Sequence, residues 1–376
     1  MKHLTPAAIL VVVLTTGCTS GGSTRRASNP RPQPGMAWIE PSSDDTHFVR
    51  AGTTDRVVMW GFNYDRDDAG RLLEDYWFEE WDTVAGDFRE MKALGANVVR
   101  IHLQLARFMD GAGTPNDENL RLLARLVRLA EETGLYLDVT GLGCYHRQDV
   151  PAWYDALGEA ARWEVQARFW TAVAGVCKDS PAVFCYDLMN ESVIGGDARG
   201  GWLPGEPLGG KYYVQKLTLD KRGRTDKEIA RAWVEKLCDA IRRVDPRHMI
   251  TVGVIPWAQV FKGARPLFYA PEVCGPLDFV SVHFYPRGDD IETSLATLRV
   301  YDVGKPMVIE EIFPLHAGAE TTEKFIARSG AFADGWISFY WGKTVEENRS
   351  KGDIAGALMS EWLVRFRAMS PYARGK

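Results

Sequence analysis

The 376-residue sequence lacks several features that would commit it to particular chemistries. It has no surplus of basic charge. Its 45 Lys and Arg face 50 Asp and Glu, a formal net charge of −5, so no basic stripe is available to neutralise a nucleic-acid backbone. Histidine is scarce, with seven residues, and cysteine scarcer, with six. No two cysteines stand in a CxxC spacing, which argues against a metal knuckle, and no cofactor is called for. After Cys18 five cysteines remain, an odd number that cannot pair completely. No glycine-rich phosphate turn follows the first β-branched run, which speaks against an open nucleotide-binding sheet. What is present is a composition that can bury a core, 45% hydrophobic and 25% charged, with 13 Trp and 13 Tyr among the aromatics.

The N-terminus carries an address. Lys2 precedes the apolar run AAILVVVL, Ala7 to Leu14, which falls short of the about 20 apolar residues needed to cross a bilayer and reads as a signal-peptide core. LTTGC follows and is similar to a bacterial lipobox, in which Cys18 becomes the acylated first residue of the mature chain. Leu14 stands four residues before that cysteine, where the usual pattern has three. An ordinary cleaved signal is the alternative. Residues 1–17 are therefore expected to be a signal peptide, and 18–35, small, polar and Pro-rich, a flexible lipidated tether. Residues 36–376 are expected to fold as one domain, a monomer exported and held by lipid at a bacterial outer membrane or cell surface.

From residue 56 onward short β-branched runs alternate with helical patterns. Strands are predicted at 57–62, 97–103, 135–140, 183–189, 249–254, 278–284, 307–311 and 335–341. Helices are predicted at 81–94, 116–133, 161–178, 226–244, 291–300, 321–329 and near 354–369, with an irregular stretch at 256–274. Thr225-Asp226-Lys227-Glu228 is a capping box, and Gly95 and Gly134 sit where a helix should end in the left-handed conformation. Eight such units, apolar on both strand faces, predict a parallel sheet closed into a (β/α)8 TIM barrel. Residues 192–225, between the fourth strand and its helix, exceed the usual 2–6 residues for such a loop and are expected to wall the cleft, with Trp202, Tyr212 and Tyr213 as candidate stacking rings.

Two acidic sites stand at strand ends. YDLMNES places Asn190 and Glu191 at the end of the fourth strand, and KPMVIEE places Glu310 and Glu311 at the end of the seventh. Carboxylates at the C-terminal ends of barrel strands meet in the shared mouth. Glycoside cleavage needs two, one to protonate the leaving oxygen and one to attack or to activate water. A metal site or a buried ion pair is equally compatible with the spacing alone.

Around these acids the sequence resembles the endo-β-glycanase clan of (β/α)8 glycosidases, most closely glycoside hydrolase family 5. The likeness rests on WGFNY (60–64), on NVVRIHL with Arg100, and on YDLMNES. It rests also on SVHFYP with His283 and Tyr285, on KPMVIEE, and on FYWG with Trp341. The resemblance implies a retaining β-glycosidase acting on a β-linked oligo- or polysaccharide. Glu191 would be its acid/base and Glu311, counted from Lys305-Pro306, its nucleophile. Arg100 and Tyr285 would keep Glu311 ionised, Asn190 would meet the sugar 2-hydroxyl, His283 would orient Glu191, and Trp341 would stack under the ring. The sequence departs from the family pattern at Thr140, where a His commonly ends the third strand, and at Ile312-Phe313-Pro314, where an aromatic-Gly pair commonly follows the nucleophile. His146 could supply the missing function from the loop or lie on the surface; His102, two residues beyond Arg100, could touch sugar or simply pack. A catalytically silent carbohydrate-binding barrel and a transglycosylase remain alternatives. A metal-dependent barrel hydrolase would want a His-x-His on the first strand, and WGFNYD has no histidine.

Overall fold

The structure, a computed structural model, describes residues 36–373 except 65, 66, 68 and 289. The expected signal segment, the Cys18 anchor and the tether up to residue 35 lie outside the described residues.

The β-branched runs form eight barrel strands: β1 Met59–Tyr64, β2 Val98–Gln104, β3 Tyr136–Gly143, β4 Val183–Asp187, β5 Met249–Thr251 resuming at Gly253–Val254, β6 Val280–His283, β7 Met307–Ile312 and β8 Gly335–Ser338. All neighbours pair in parallel, and β8 returns to β1 with Gly335 opposite Met59. Strand β5 pairs with β4 through its first half and with β6 through its second, so the break at Val252 lies inside a closed (β/α)8 barrel. Every strand residue but Tyr136 is buried, as expected when helices cover one face and side chains fill the other.

Seven longer helices follow the sequence reading closely: Trp81–Ala93, Asp117–Thr133, Glu159–Cys177, Asp226–Arg242, Ile291–Leu298, Ala319–Ser329 and Ile354–Met369. Thr225 caps the fourth reciprocally: its hydroxyl accepts from the Glu228 N–H, and its own N–H donates to the Glu228 carboxylate at 2.7 Å. Gly134, at φ 65°, ends the second. The 256–274 connection holds a single 3-10 turn, Trp257–Gln259.

Two features were not anticipated. Strands Ile39–Pro41, Phe48–Arg50 and Arg56–Val57 form an antiparallel sheet against the N-terminal end of the barrel. There Phe48 meets Phe184 and Phe279 edge-on at 5.2 and 5.3 Å, within a separate apolar cluster that includes Met59, Val98, Val308 and Ile337. The insertion 192–225 also contains two short parallel strands, Ser192–Gly195 and Gln215–Thr218. The five described cysteines are all unpaired.

Candidate active site

Arg100 organises the barrel mouth. It is fully buried, and its guanidinium donates to Thr140 Oγ1 at 2.8 Å, Asn63 Oδ1 at 3.0 Å, Glu311 Oε1 at 3.0 Å, Asp187 Oδ2 at 2.8 Å and Asn190 Oδ1 at 2.9 Å. A buried cation is tolerable only when its donors are met by anions and acceptors, and this planar fork meets both. The place where a His was expected is thus filled by Thr140, which accepts from Arg100 and donates to Asp187 at 2.9 Å.

Glu191 and Glu311 face each other across this cluster. One carboxylate oxygen from each lies within 4.8 Å of the other. His283 Nδ1 stands between them, 3.0 Å from Glu191 Oε1 and 3.4 Å from Glu311 Oε1, and the Tyr285 hydroxyl donates to Glu311 Oε2 at 2.7 Å. Glu191 occupies a left-handed backbone position, φ 47°, and its N–H donates to Gly253 O at 3.1 Å. Its side chain keeps 21% exposure against 9% for Glu311, so of the pair Glu191 has the readier access to solvent protons.

Successive residues of a strand normally point to opposite faces. Glu310 and Glu311 both point into the barrel because the register of β7 slips against β6 after Val282 and against β8 between Ile309 and Ile312. Glu311 lines the cavity, whereas Glu310 is sealed beneath it, 3.3 Å from His283 Nε2 and 3.4 Å from Arg100. Burial alone would raise Glu310, but Arg100 and His283 bring it down to about 2. Burial pushes Glu311 above the ordinary carboxylate range against the pull of His283 and Arg100, with Glu191 adding to the rise and Tyr285 opposing it. Burial would depress His283; Glu311 and the hydrogen bonds to Glu191 and Glu310 instead carry it up to about 10. Neither oxygen of the buried Asp138 receives an N–H or O–H bond. Its neighbour is Glu310, and burial and that carboxylate drive Asp138 well above the usual range, which favours its neutral form.

The cavity above, about 320 Å³, is lined by Asn190, Glu191, Glu311, Tyr213 and Tyr285, by Leu208 of the insertion, and by apolar and aromatic residues from the far side of the mouth. The structure corrects several expectations. Trp341 does not floor it: the indole is buried against Tyr64 at 5.8 Å, and Phe339 and Tyr340, joined by a cis peptide bond, face the cavity instead. His146 lies in a separate crevice with Gln104, Arg107 and Cys144. His102 is buried between Tyr145 and Asn63, hydrogen-bonded to both, and does not line the cavity. Trp202 turns inward beneath Arg162 at 4.5 Å, leaving Tyr213 as the ring of the insertion that borders the cavity. Asn63, Asp138, Thr140 and Asp187 were missed as members of the site.

Glu191, His283 and Glu311 are also the described residues whose ligand atoms lie close enough to hold a metal ion. Their ligand atoms are already engaged: His283 Nδ1 stands 3.0 Å from Glu191 Oε1 and its Nε2 3.3 Å from Glu310 Oε2, and Glu311 accepts from Arg100 and Tyr285, so an ion there would compete with these contacts.

The sequence and the fold resemble those of known proteins. The chain is similar to mannan endo-1,4-beta-mannosidase 3 of Oryza sativa subsp. japonica, at 25% identity over 169 residues, a stretch covering 37% of this chain and only 30% of that relative. In fold it is similar to an endo-1,4-beta-mannanase from Eisenia fetida, with TM-score 0.60, 16% identity, 88% of this chain and 95% of that one covered. It is likewise similar to an exo-beta-1,4-mannosidase from Opitutaceae bacterium strain TAV5, with TM-score 0.62, 18% identity and coverage of 88% and 62%. The family model described as Cellulase (glycosyl hydrolase family 5) matches residues 57–324, well over half of the chain, and the protein belongs to that family.

Proposed function

We propose that this glycoside hydrolase is a retaining β-glycosidase that cleaves a β-linked glycan by double displacement. The observation that carries the reading is the approach of Glu191 and Glu311 within 4.8 Å across the cavity. Retaining pairs stand about 5–5.5 Å apart, whereas inverting pairs leave about 6.5–9.5 Å for a water. Glu311 attacks the anomeric carbon as Glu191 protonates the departing oxygen; Glu191 then takes a proton from the water that releases the sugar. Arg100 and the Tyr285 hydroxyl favour the ionised form of Glu311, while the fixed His283 ring holds Glu191 toward it. Asn190, locked by Arg100 and by its bond to Tyr213 O at 3.1 Å, borders the place of the 2-hydroxyl. Phe339 offers the aromatic floor. The mannanases and mannosidase among the similar proteins make β-mannosides the first substrates to try, and the family's cellulase description makes β-glucosides the second.

The test is stereochemical. Proton NMR of early product from an aryl β-glycoside should show the β-anomer before mutarotation, and azide should rescue Glu311→Ala by forming an α-glycosyl azide. An initial α-product, or azide rescue of Glu310→Ala instead, would overturn the assignment.

A further inference from the structure

Segments that belong on opposite sides of the barrel share one cavity. Leu208 sits in the insertion after β4, and Phe339 and Tyr340 follow β8, yet all three line the space above Glu311. Strands four and eight of an eight-stranded barrel are diametrically placed, so the tip of the insertion borders the cavity from the side opposite the β8 end. Its path is fixed by bonds to the main chain: the Gln215 side chain donates through Nε2 to Leu142 O at 2.7 Å, and Tyr212 N donates to Tyr145 O at 2.8 Å. Both acceptors belong to β3 or the loop after it. At the tip, Leu208 and Lys211 exchange backbone hydrogen bonds at 2.9 and 3.1 Å around Gly209 and Gly210. Those glycines have φ 57° and 80°, a tight turn that residues with side chains enter poorly. Lys211 then packs beside Gly70, in the segment after β1: its Nζ lies 3.3 Å from where a Cβ on that glycine would stand. The cavity is walled on this side by the insertion and on the other by the ends of β7 and β8 and by Met359 of the last helix. Its volume, about 320 Å³, is at the small end of ligand sites, which run from ~300 to ~1,000 Å³.

The space on the other side of Glu191 differs. Ser192, the next residue, begins a second groove of about 460 Å³ with Val193, Ile194, Trp257 and Phe261, and it contains neither Glu311 nor Tyr285. Trp257 is 40% exposed there, its ring 5.8 Å from that of Phe261.

From these placements we infer that the enzyme acts at a chain end: the terminal sugar enters the walled cavity over Glu311, and the leaving chain lies along the groove at Ser192 and Trp257. This inference rests on the glycosidase reading above. It makes the tip at Leu208 the element that sets the mode of attack, because a chain extending past the terminal ring would have to pass through the insertion.

The probes are β-1,4-mannotetraose and cellotetraose, fluorescently labelled at the reducing end, with and without a 4,6-O-ethylidene acetal on the non-reducing-end ring. The free substrate should shorten one unit at a time from the unlabelled end, and blocking should slow hydrolysis by about 100-fold or more, the cost of misplacing the reacting bond. Equal rates for blocked and free substrate, or internal products appearing first, would overturn chain-end action and leave the glycosidase reading intact. Failure to cleave either tetraose or any aryl β-glycoside would sink both readings. A variant with residues 205–211 shortened to two glycines, and with unchanged thermal unfolding, should raise the ratio of blocked to free hydrolysis. An unchanged ratio in that folded variant would show that the insertion is not the closing wall.

Discussion

Gly253 separates the halves of the active-site network, and Gly253→Ala should disable the enzyme while leaving it folded. A Cβ at this position would stand 2.5 Å from Glu310 Oε2, 2.7 Å from His283 Nε2 and 3.1 Å from Asp187 Oδ2. Ordinary contact begins at 3.4 Å, so Glu310 must retreat by 3.4 − 2.5 = 0.9 Å and His283 by 3.4 − 2.7 = 0.7 Å. Neither can retreat freely, since both are buried and each is bonded to the other at 3.3 Å. Displacing His283 shifts Nδ1 off Glu191 and Glu311. A misplacement of about 1 Å costs on the order of 10²-fold in rate, or about 2.7 kcal/mol at the barrier. The backbone at Gly253 is one that alanine adopts, so the stability cost is overpacking alone, about 1–3 kcal/mol. That lowers Tm by no more than about 10 °C in a domain of this size. The assay is kcat/KM on an aryl β-glycoside beside thermal unfolding. Gly175→Ala, in the helix Glu159–Cys177 with nothing within 4 Å, serves as control; it should leave kcat/KM unchanged and gain up to about 1 kcal/mol. A folded Gly253→Ala with kcat/KM within about threefold of wild type would refute the claim that the site's geometry depends on the 1 Å scale.

The buried ion pair should make stability pH-dependent in both directions. His283, raised to about 10 from 6.5, stabilises fully below about 6.5 and loses that contribution as pH rises through about 10; Glu310, lowered to about 2 from 4.5, stabilises fully above about 4.5 and loses it as pH falls through about 2. Tm against pH should therefore fall on the alkaline side in wild type, and His283→Asn should flatten that limb; an identical slope in both would remove the pair as its cause. Phe339→Ala should raise KM up to about tenfold with Tm little changed, whereas Trp341→Ala should cost about 3–5 kcal/mol of stability, so a KM effect confined to the Trp341 variant would restore Trp341 as the sugar platform. For the proposed anchor, Cys18→Ala should move the protein from the membrane to the soluble fraction with kcat/KM unchanged, and a wild-type chain without acyl mass would rule the anchor out.

The eight strands and seven helices were legible because burial on both strand faces leaves near-continuous apolar runs, and because Thr225 and Gly134 mark helix ends with specific backbone demands. The acids at β4 and β7 were legible for the same reason: each interrupts such a run at its end. Trp341 misled because the eighth strand was read to 341 and stops at Ser338; beyond it, alternation no longer says which aromatic faces the mouth. Asp138 and Asp187 carried a signal that was passed over, since LYLDVT and VFCYD each set an ionisable group inside an apolar strand, where only a partner or a shift toward the neutral acid makes it tolerable. What answers each, Arg100 for Asp187 and Glu310 for Asp138, depends on the barrel's closure and on the slipped register of β7. Neither is written in local spacing. The N-terminal strands were missed because runs of two or three residues have no period to detect.

Arg100 gathers groups that lie 37, 40, 87, 90 and 211 positions away along the chain. Loop closure grows costlier with separation, so the last of these ties, to Glu311 on the seventh strand, carries the largest closure cost of the five. An open sheet of the first four strands would gather Asn63, Thr140, Asp187 and Asn190 around the guanidinium and still lack the acid that pairs with Glu191. Catalysis is consequently an all-or-none report on ring closure: during refolding, turnover should return with the final docking of β7 and β8, after most of the helical signal has recovered.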